Sequence, residues 1–233
     1  MTLSTTARGF PGGRVNASWH IGKRFRFEAT RRLNGRADGH SFTAESVLRA
    51  PELDPVGFVV DFGRLAALKE HIDERLDHRS LNDRIPDVSD EGIEAYLTEW
   101  ARAELPDDVA QVLVGIRIRT GRPRRPAAGF AVEFAATHHL DGLDPGHPCS
   151  RPHGHTYLVS AEDADGSPAP VPDELACHIR SVLDGSVLNE RLDINPTSEQ
   201  LARYLSDWMD RGPATIRVSE TESSWAQYTR SRP

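Results

Sequence analysis

The two halves of the chain repeat one residue pattern at a period of about 100 residues, and this repeat constrains the fold more than any other feature. Phenylalanine, leucine and asparagine recur at matching places in both halves. The repeat predicts a tandem duplication, in which each half folds into the same unit. Four pairs of segments align: Phe27–Leu33 with Phe134–Leu140, Asp38–Phe42 with His153–Tyr157, Leu76–Asp83 with Leu183–Glu190, and Ile116–Thr120 with Ile216–Glu220.

Each half also shows the same order of secondary-structure signals. Leucine and isoleucine at spacings of three and four predict a helix over 65–76, and Ser89 and Thr197 can each cap a further helix. A helix is also expected at about 173–183. Alternating apolar and polar residues, or short apolar runs, predict strands at 24–27, 39–48, 57–62, 112–118, up to 138, and at 153–160, 216–221 and 225–228.

Changes in composition place the domain boundaries. Residues 1–20 are rich in glycine, serine and threonine without a period, which predicts a flexible arm. The Gly- and Pro-containing segment 121–126 separates a first unit, 21–125, from a second unit, 126–233. A basic run from Arg117 to Arg125 has two interpretations, a solvated linker or a phosphate-binding patch, and the linker is favoured.

Charge and hydropathy indicate the class of protein and its partners. The formal net charge is −7, which argues against nucleic acid as the main partner. No apolar run approaches the roughly 20 residues that span a bilayer, and residues 1–13 lack the apolar core of a signal peptide. We therefore expect a cytoplasmic protein without membrane contact. Its two cysteines, Cys149 and Cys177, are expected to stay reduced, with Cys177 in the core.

Histidines in the second half indicate a metal site. His153 and His155 are two residues apart, so on a strand both side chains point to the same face. A pair of this kind is weak evidence alone, but His138 supplies a third imidazole. Cys149 lies four residues before His153, in a loop rich in proline and glycine. Three imidazoles with an open fourth position are typical of catalytic zinc.

The pattern Phe-x-x-x-His-x-Leu, followed by Cys-x-x-x-His-Gly-His-x-Tyr, resembles the 6-pyruvoyltetrahydropterin synthase family. The three-residue gap between Cys149 and His153 resembles its queuosine-pathway member, 6-carboxytetrahydropterin synthase. The resemblance implies an α+β fold of two tandem tunnelling-fold (T-fold) units. Each would have a four-stranded antiparallel sheet with two helices on one face, and units would pack edge to edge into barrels.

The resemblance also implies the roles of individual residues. It assigns His138, His153 and His155 to Zn2+, and Cys149 to general-base catalysis. Glu220 would hold the pterin ring, since a carboxylate has two acceptor oxygens in one plane. Asp77 would orient His78, which would transfer protons.

The two halves divide these residues between them. The first half has Arg31, Asp38 and His40 at the metal positions, and arginine cannot ligate a cation. We expect Arg31 and Asp38 to form an ion pair there, and His40 to be packed and hydrogen-bonded. The second half has glycine, Gly185, where the first has His78. Complementary losses predict a composite active site, with Asp77 and His78 facing Cys149, the zinc histidines and Glu220.

The resemblance implies a lyase that converts 7,8-dihydroneopterin triphosphate to 6-carboxytetrahydropterin. Two alternatives stay open: 6-pyruvoyltetrahydropterin synthase activity, and a non-catalytic pterin-binding or assembly protein. The expected partner besides the pterin is the chain itself, in a homo-oligomer such as a trimer of tandem chains that forms a pseudo-hexamer.

Overall fold

The computed structural model describes residues 18–121, 126–144, 146–209 and 212–230, without the side chains of 36–38. The strands are β1 (Ser18–Leu33), β2 (Arg36–Ala50), β3 (Arg79–Ser80), β4 (Leu113–Thr120), β5 (Ala131–His138), β6 (His153–Glu162), β7 (Pro168–Ala169), β8 (Ser186–Val187), β9 (Thr215–Thr221) and β10 (Ser224–Thr229). The helices are α1 (Ala66–Arg75), α2 (Asp90–Glu104), α3 (Asp107–Val112), α4 (Asp173–His178), α5 (Leu188–Arg191) and α6 (Ser198–Trp208).

The chain divides into two compact units. The first comprises residues 20–50 and 59–125, and the second comprises residues 126–233 together with 51–58 and the segment that ends at Trp19. The second unit is therefore discontinuous in sequence, unlike the predicted range of 126–233. Ser18, Trp19 and His20, expected in the flexible arm, already belong to β1, and residues 1–17 lie outside the described part of the chain.

In the first unit β2 pairs antiparallel with β4, while the short β3 pairs parallel with β1. Along β1 the side chains alternate, with Phe25 and Phe27 buried and Arg26 and Glu28 exposed. The buried stripes of α1 and α2 complete the core, and Ser89 caps α2 by accepting a hydrogen bond from the Gly92 N–H. The described residues of this unit contain the long strands β1, β2 and β4 and the short strand β3.

The second unit contains an antiparallel sheet in the order β10-β9-β6-β5, with β8 parallel to β5. Its helices α4 and α6 bury leucine and alanine side chains, among them Leu175 and Leu205. Thr197 caps α6 by accepting a hydrogen bond from the Gln200 N–H at 3.2 Å. The predicted α+β fold with antiparallel sheets and packed helices is confirmed.

Both units contain the same cluster of a histidine, a tyrosine and a tryptophan between their helices. The histidine ring stacks on the tryptophan with centroids 4.0 Å apart in the first unit and 4.1 Å apart in the second. Its Nε2 lies 2.9 Å from the tyrosine hydroxyl in both. The two sets are His71, Tyr96 and Trp100, and His178, Tyr204 and Trp208.

Two sequence-based expectations are wrong. Residues 57–62 do not form a strand. Gly57 has a φ of 108°, and its carbonyl accepts a hydrogen bond from Thr197 Oγ1 at 2.9 Å instead of pairing with a strand. Cys177 is exposed and not in the core. It follows the buried residues Leu175 and Ala176 on α4, but its own side chain lies on the outer face of that helix.

Candidate active site

The pairing of β5 with β6 brings three histidines together. His138 ends β5 and lies opposite His153, the first residue of β6, while His155 lies opposite Ala136. The ligand nitrogens of the three histidines all lie within 4.8 Å of one another. No other cluster of this kind is found among the residues that the structure describes. The three predicted metal-binding residues thus converge on one point.

Backbone carbonyls determine which nitrogen of His138 and of His153 can bind a ligand. His138 Nδ1 lies 2.9 Å from the Pro196 carbonyl, and His153 Nδ1 lies 2.8 Å from the Arg151 carbonyl. A carbonyl only accepts, so each Nδ1 carries the proton and each Nε2 presents a lone pair. These two Nε2 atoms are 3.1 Å apart, and two facing lone pairs repel unless a cation lies close to both. The arrangement therefore fits a metal ion.

The pKa shifts of His138 and His155 also favour metal binding. Burial lowers the pKa of His138 to about 4, although the Pro196 carbonyl opposes the shift. Burial also lowers the pKa of His155, against the opposing charge of Glu220. Both imidazoles are therefore neutral at pH 7, which is the form that binds a metal. A set of three imidazole donors suits zinc.

Cys149 lies in a short helical turn, Pro148–Ser150, which hydrogen bonds to the residues just after β5. Its carbonyl accepts a hydrogen bond from the Leu140 N–H at 2.8 Å, just after β5, and its own N–H donates to His147 Nδ1 at 3.1 Å. The thiol is partly buried. It lies close enough to Tyr157 for its charge to help raise the pKa of that phenol, after burial and Glu220.

Glu220 lies on β9, one residue after Ser219, which pairs with Leu158 of β6. Its carboxylate accepts hydrogen bonds from Ser198 Oγ at 2.9 Å and Ser224 Oγ at 3.4 Å. Its charge acts on both His155 and Tyr157, so the carboxylate belongs to the same neighbourhood as the histidines.

Sequence reasoning missed two supporting groups, the Pro196 carbonyl and Ser198, and it gave no role to Tyr157, although this residue is part of the sequence pattern. The hydroxyl of Tyr157 is buried without a hydrogen-bond partner in the described part of the chain. Its place beside the histidines could have been predicted, because it lies two residues after His155 on the same face of β6.

Asp77 and His78 lie in the first unit, at the end of the loop after α1. Asp77 Oδ1 accepts a hydrogen bond from the Glu28 N–H at 2.8 Å, and its Oδ2 lies 2.7 Å from His78 Nδ1. The Glu28 hydrogen bond is the main reason that the pKa of Asp77 is lowered. His78 is largely exposed and lines a cleft of about 560 Å³. The predicted Asp-His pair therefore exists.

In the first unit, Arg31 is the residue that the sequence alignment matches to His138. Its Nη1 donates to the Val88 carbonyl at 2.9 Å, and His138 Nδ1 donates to the Pro196 carbonyl at the same distance. The same guanidinium forms an ion pair with Asp90 at 2.7 Å. The side chain of its predicted partner, Asp38, lies outside the described residues, so that ion pair stays a prediction.

A contact between a carboxylate on one element and a hydroxyl on the other joins helix and strand in both units. In the second unit the acid is on the strand, Glu220, and the hydroxyl on the helix, Ser198. In the first unit the hydroxyl is on the strand, Thr120, and the acid on the helix, Asp90, with an O···O distance of 3.2 Å. Both units therefore have a hydroxyl–carboxylate contact between helix and strand, but the carboxylate is on the strand in the second unit and on the helix in the first.

Comparison with known proteins gives several matches. A candidate 6-carboxy-5,6,7,8-tetrahydropterin synthase of Archaeoglobus fulgidus is 30% identical over 113 residues, which are 44% of this chain and 94% of that protein. A dihydroneopterin monophosphate aldolase of Pyrococcus furiosus is 35% identical over 71 residues, 30% of this chain and 60% of that protein. The 6-pyruvoyl tetrahydropterin synthase structure of Caenorhabditis elegans has 18% identity and a TM-score of 0.34, and the match covers 42% of this chain and 91% of that one.

Residues 20–119 and 170–231 match the family model of 6-pyruvoyl tetrahydropterin synthase. Asp77, His78 and Glu220 lie within the matched segments, whereas the histidine cluster and Cys149 lie between them. The matched segments cover more than half of the chain, and the curated relative from Archaeoglobus is aligned over nearly its full length. The chain belongs to the 6-pyruvoyl tetrahydropterin synthase family.

Proposed function

We propose that this protein is a zinc-dependent pterin lyase that converts 7,8-dihydroneopterin triphosphate to 6-carboxytetrahydropterin, in a queuosine- or deazapurine-type pathway. Membership of the family makes it a pterin-processing enzyme. The observation that carries the finer proposal is the cluster of His138, His153 and His155, with two Nε2 lone pairs 3.1 Å apart. The spacing of Cys149 and His153, and the match to the Archaeoglobus protein, favour the carboxy product.

We also propose that the chain is a tandem duplication of one family unit. The matching His-Tyr-Trp clusters support it, because repeated side-chain contacts at corresponding places are not expected from unrelated sequences. Two asparagines give the same support. Asn82 bonds the N–H and carbonyl of Arg32, and Asn189 bonds those of His139. The length of the Archaeoglobus relative also supports a duplication, because less than half of this chain, 44%, is enough to cover 94% of that protein.

In this proposal each side chain has one task. A bound zinc ion would polarise the hydroxyl groups of the substrate's side chain. Cys149, as thiolate, removes a proton from that side chain, and His78 returns or removes protons while Asp77 holds its Nδ1. Glu220 accepts hydrogen bonds from the ring N–H and amino groups, with Ser198 fixing the carboxylate.

The active site is proposed to be composite. Asp77 and His78 come from a first unit, and the other groups come from a second unit. Each unit keeps what the other has lost, since Arg31 replaces a metal ligand in the first and Gly185 replaces the proton-transfer histidine in the second. A homo-oligomer in which first units meet second units, such as a trimer of tandem chains, would supply this contact.

The experiment that tests the function is incubation of purified protein with 7,8-dihydroneopterin triphosphate, followed by mass spectrometry of the products. We expect 6-carboxytetrahydropterin, triphosphate and acetaldehyde, with about one zinc per chain by metal analysis. A 6-pyruvoyl product would instead establish the synthase activity of the family name. Unchanged substrate together with no bound zinc would favour the non-catalytic pterin-binding alternative.

A further inference from the structure

The cleft of the first unit brings together a carboxylate and an imidazole on one backbone framework. Glu28, Ser41 and His78 line this cleft of about 560 Å³. The Glu28 carbonyl accepts a hydrogen bond from the His78 N–H at 2.6 Å, while the Glu28 N–H donates to Asp77 Oδ1 at 2.8 Å. The backbone of residue 28 therefore fixes the loop that carries the proton-transfer histidine.

The second unit has the same framework without either functional side chain. The Ala135 N–H donates to Asp184 Oδ1 at 2.9 Å, and the Ala135 carbonyl accepts from the Gly185 N–H at 2.7 Å. Alanine thus replaces Glu28 and glycine replaces His78, and both hydrogen bonds remain. The carboxylate of Glu28 is therefore not required to hold the framework.

Each of these side chains has one polar atom that makes no hydrogen bond to the residues that the structure describes. Glu28 Oε2 accepts a hydrogen bond from Ser41 Oγ at 2.9 Å, but Oε1 accepts none from the residues that the structure describes. His78 Nδ1 lies 2.7 Å from Asp77 Oδ2, which leaves Nε2 for a ligand. An oriented acceptor beside an available imidazole nitrogen is the arrangement of a ligand-binding site.

We propose that Glu28 is a specificity residue of the pterin site, which accepts hydrogen bonds from the hydroxyl groups of the substrate's side chain. This inference rests on the proposed function. A carboxylate only accepts, so it selects O–H or N–H donors and gains nothing from a ligand without them. Arg79 lines the same cleft, so a side chain with both hydroxyl groups and a phosphate matches the lining.

The test is calorimetric titration of the full-length, zinc-loaded protein with two ligands. One is 7,8-dihydroneopterin, which carries side-chain hydroxyl groups, and the other is 6-methyl-7,8-dihydropterin, which does not. The variants are Glu28→Gln, which keeps the shape, and Glu28→Ala, which copies Ala135. Glu133→Gln, at an exposed glutamate on β5 of the second unit, is the matched control.

Both Glu28 variants should bind dihydroneopterin roughly 10- to 100-fold more weakly, as for a lost hydrogen bond to a charged group. Their affinity for the methyl compound, and both affinities of the control, should stay within about twofold. Equal losses for both ligands, or no loss for dihydroneopterin, would overturn the assignment of Glu28 while leaving the pterin function in place. A wild-type protein that binds neither pterin would overturn the proposed function, and the role of Glu28 with it.

Discussion

His78 has a backbone conformation that costs energy. Its φ of 54° lies in the left-handed region, which disfavours side chains, and the second unit has Gly185 at a φ of 68° in the same place. The imidazole is largely exposed, so it adds little packing. A strained, exposed histidine is explained better by function than by stability.

We predict that His78→Gly changes the free energy of unfolding by less than about 1 kcal/mol, since relief of strain offsets the lost exposed contact with Asp77. Turnover should fall by roughly 10²- to 10⁴-fold, as for loss of an acid–base group. Chemical denaturation and steady-state kinetics measure the two effects. A large loss of stability with normal turnover would assign His78 a structural role.

Glu220 gives a second prediction at this scale. If the carboxylate holds the ring equally before and during the reaction, Glu220→Ala should raise KM much more than it lowers kcat. The expected loss of binding is roughly 1.5–3 kcal/mol. Glu222→Ala, two residues further along the chain, is the matched control. An unchanged KM in Glu220→Ala would remove this residue from the site.

At the scale of elements, β4 is the edge strand of the first unit's sheet in the part of the chain that the structure describes, and side chains of α2 bond to its backbone. In the second unit the equivalent strand, β9, pairs with β10 instead. The helix residues follow one stripe at a spacing of four. The bonds are Ile118 N–H to Glu94 Oε1 at 2.8 Å, Ile116 N–H to Thr98 Oγ1 at 2.9 Å, and Arg102 Nη2 to the Val114 carbonyl at 3.2 Å.

These side chains occupy backbone groups that could otherwise pair with a strand of another molecule. We predict that the combined variant Glu94→Ala, Thr98→Ala and Arg102→Ala forms larger assemblies than the wild type. Light scattering after size-exclusion chromatography measures the mass. Glu99→Ala, on the same helix, should leave the mass unchanged. If the combined variant keeps the wild-type mass at all concentrations, the side chains do not protect the edge.

His71 and His178, which stack on tryptophans between the helices of their units, are expected to make the free energy of unfolding depend on pH. Burial lowers the pKa of His178, and burial together with Arg75 lowers the pKa of His71. The unfolded chain therefore binds more protons just below about pH 6.5, so stability falls as the pH decreases. We predict that metal-free protein loses stability between about pH 6.5 and 5. His71→Gln with His178→Gln should reduce that slope in thermal denaturation, and an unchanged slope would contradict this origin.

Local chemistry made much of this architecture predictable. Ser89 and Thr197 cap helices because their side chains reach N–H groups three residues away, and the histidine spacing identified one face of β6. Contacts between distant segments were not predictable. Asp90, which pairs with Arg31, is 59 residues away from it in sequence. The apolar residues at 57–62 favour a strand when only their neighbours in sequence are considered. Gly57 instead hydrogen-bonds to Thr197, which is 140 residues away and cannot be identified from the local pattern.

At the scale of the whole molecule, complementary losses predict complementation between inactive variants. His78→Ala and Cys149→Ala should each lose activity by roughly 10²- to 10⁴-fold. Co-refolding an equal mixture should restore part of it if the composite site spans two chains, because some contacts then join two intact units. Activity assays of the mixture and of each variant alone measure this. If neither loss exceeds tenfold, the composite site is wrong.

The discontinuity of the second unit bears on how such a protein can be rearranged. Asn195 Nδ2 donates to the Val56 carbonyl at 2.7 Å, and Thr197 Oγ1 donates to the Gly57 carbonyl at 2.9 Å, so residues 51–58 belong to a unit encoded mostly after residue 125. A gene split at the linker would give one product a segment that the other requires. Fission or shuffling of the two halves is therefore disfavoured, and inheritance as a single reading frame is favoured.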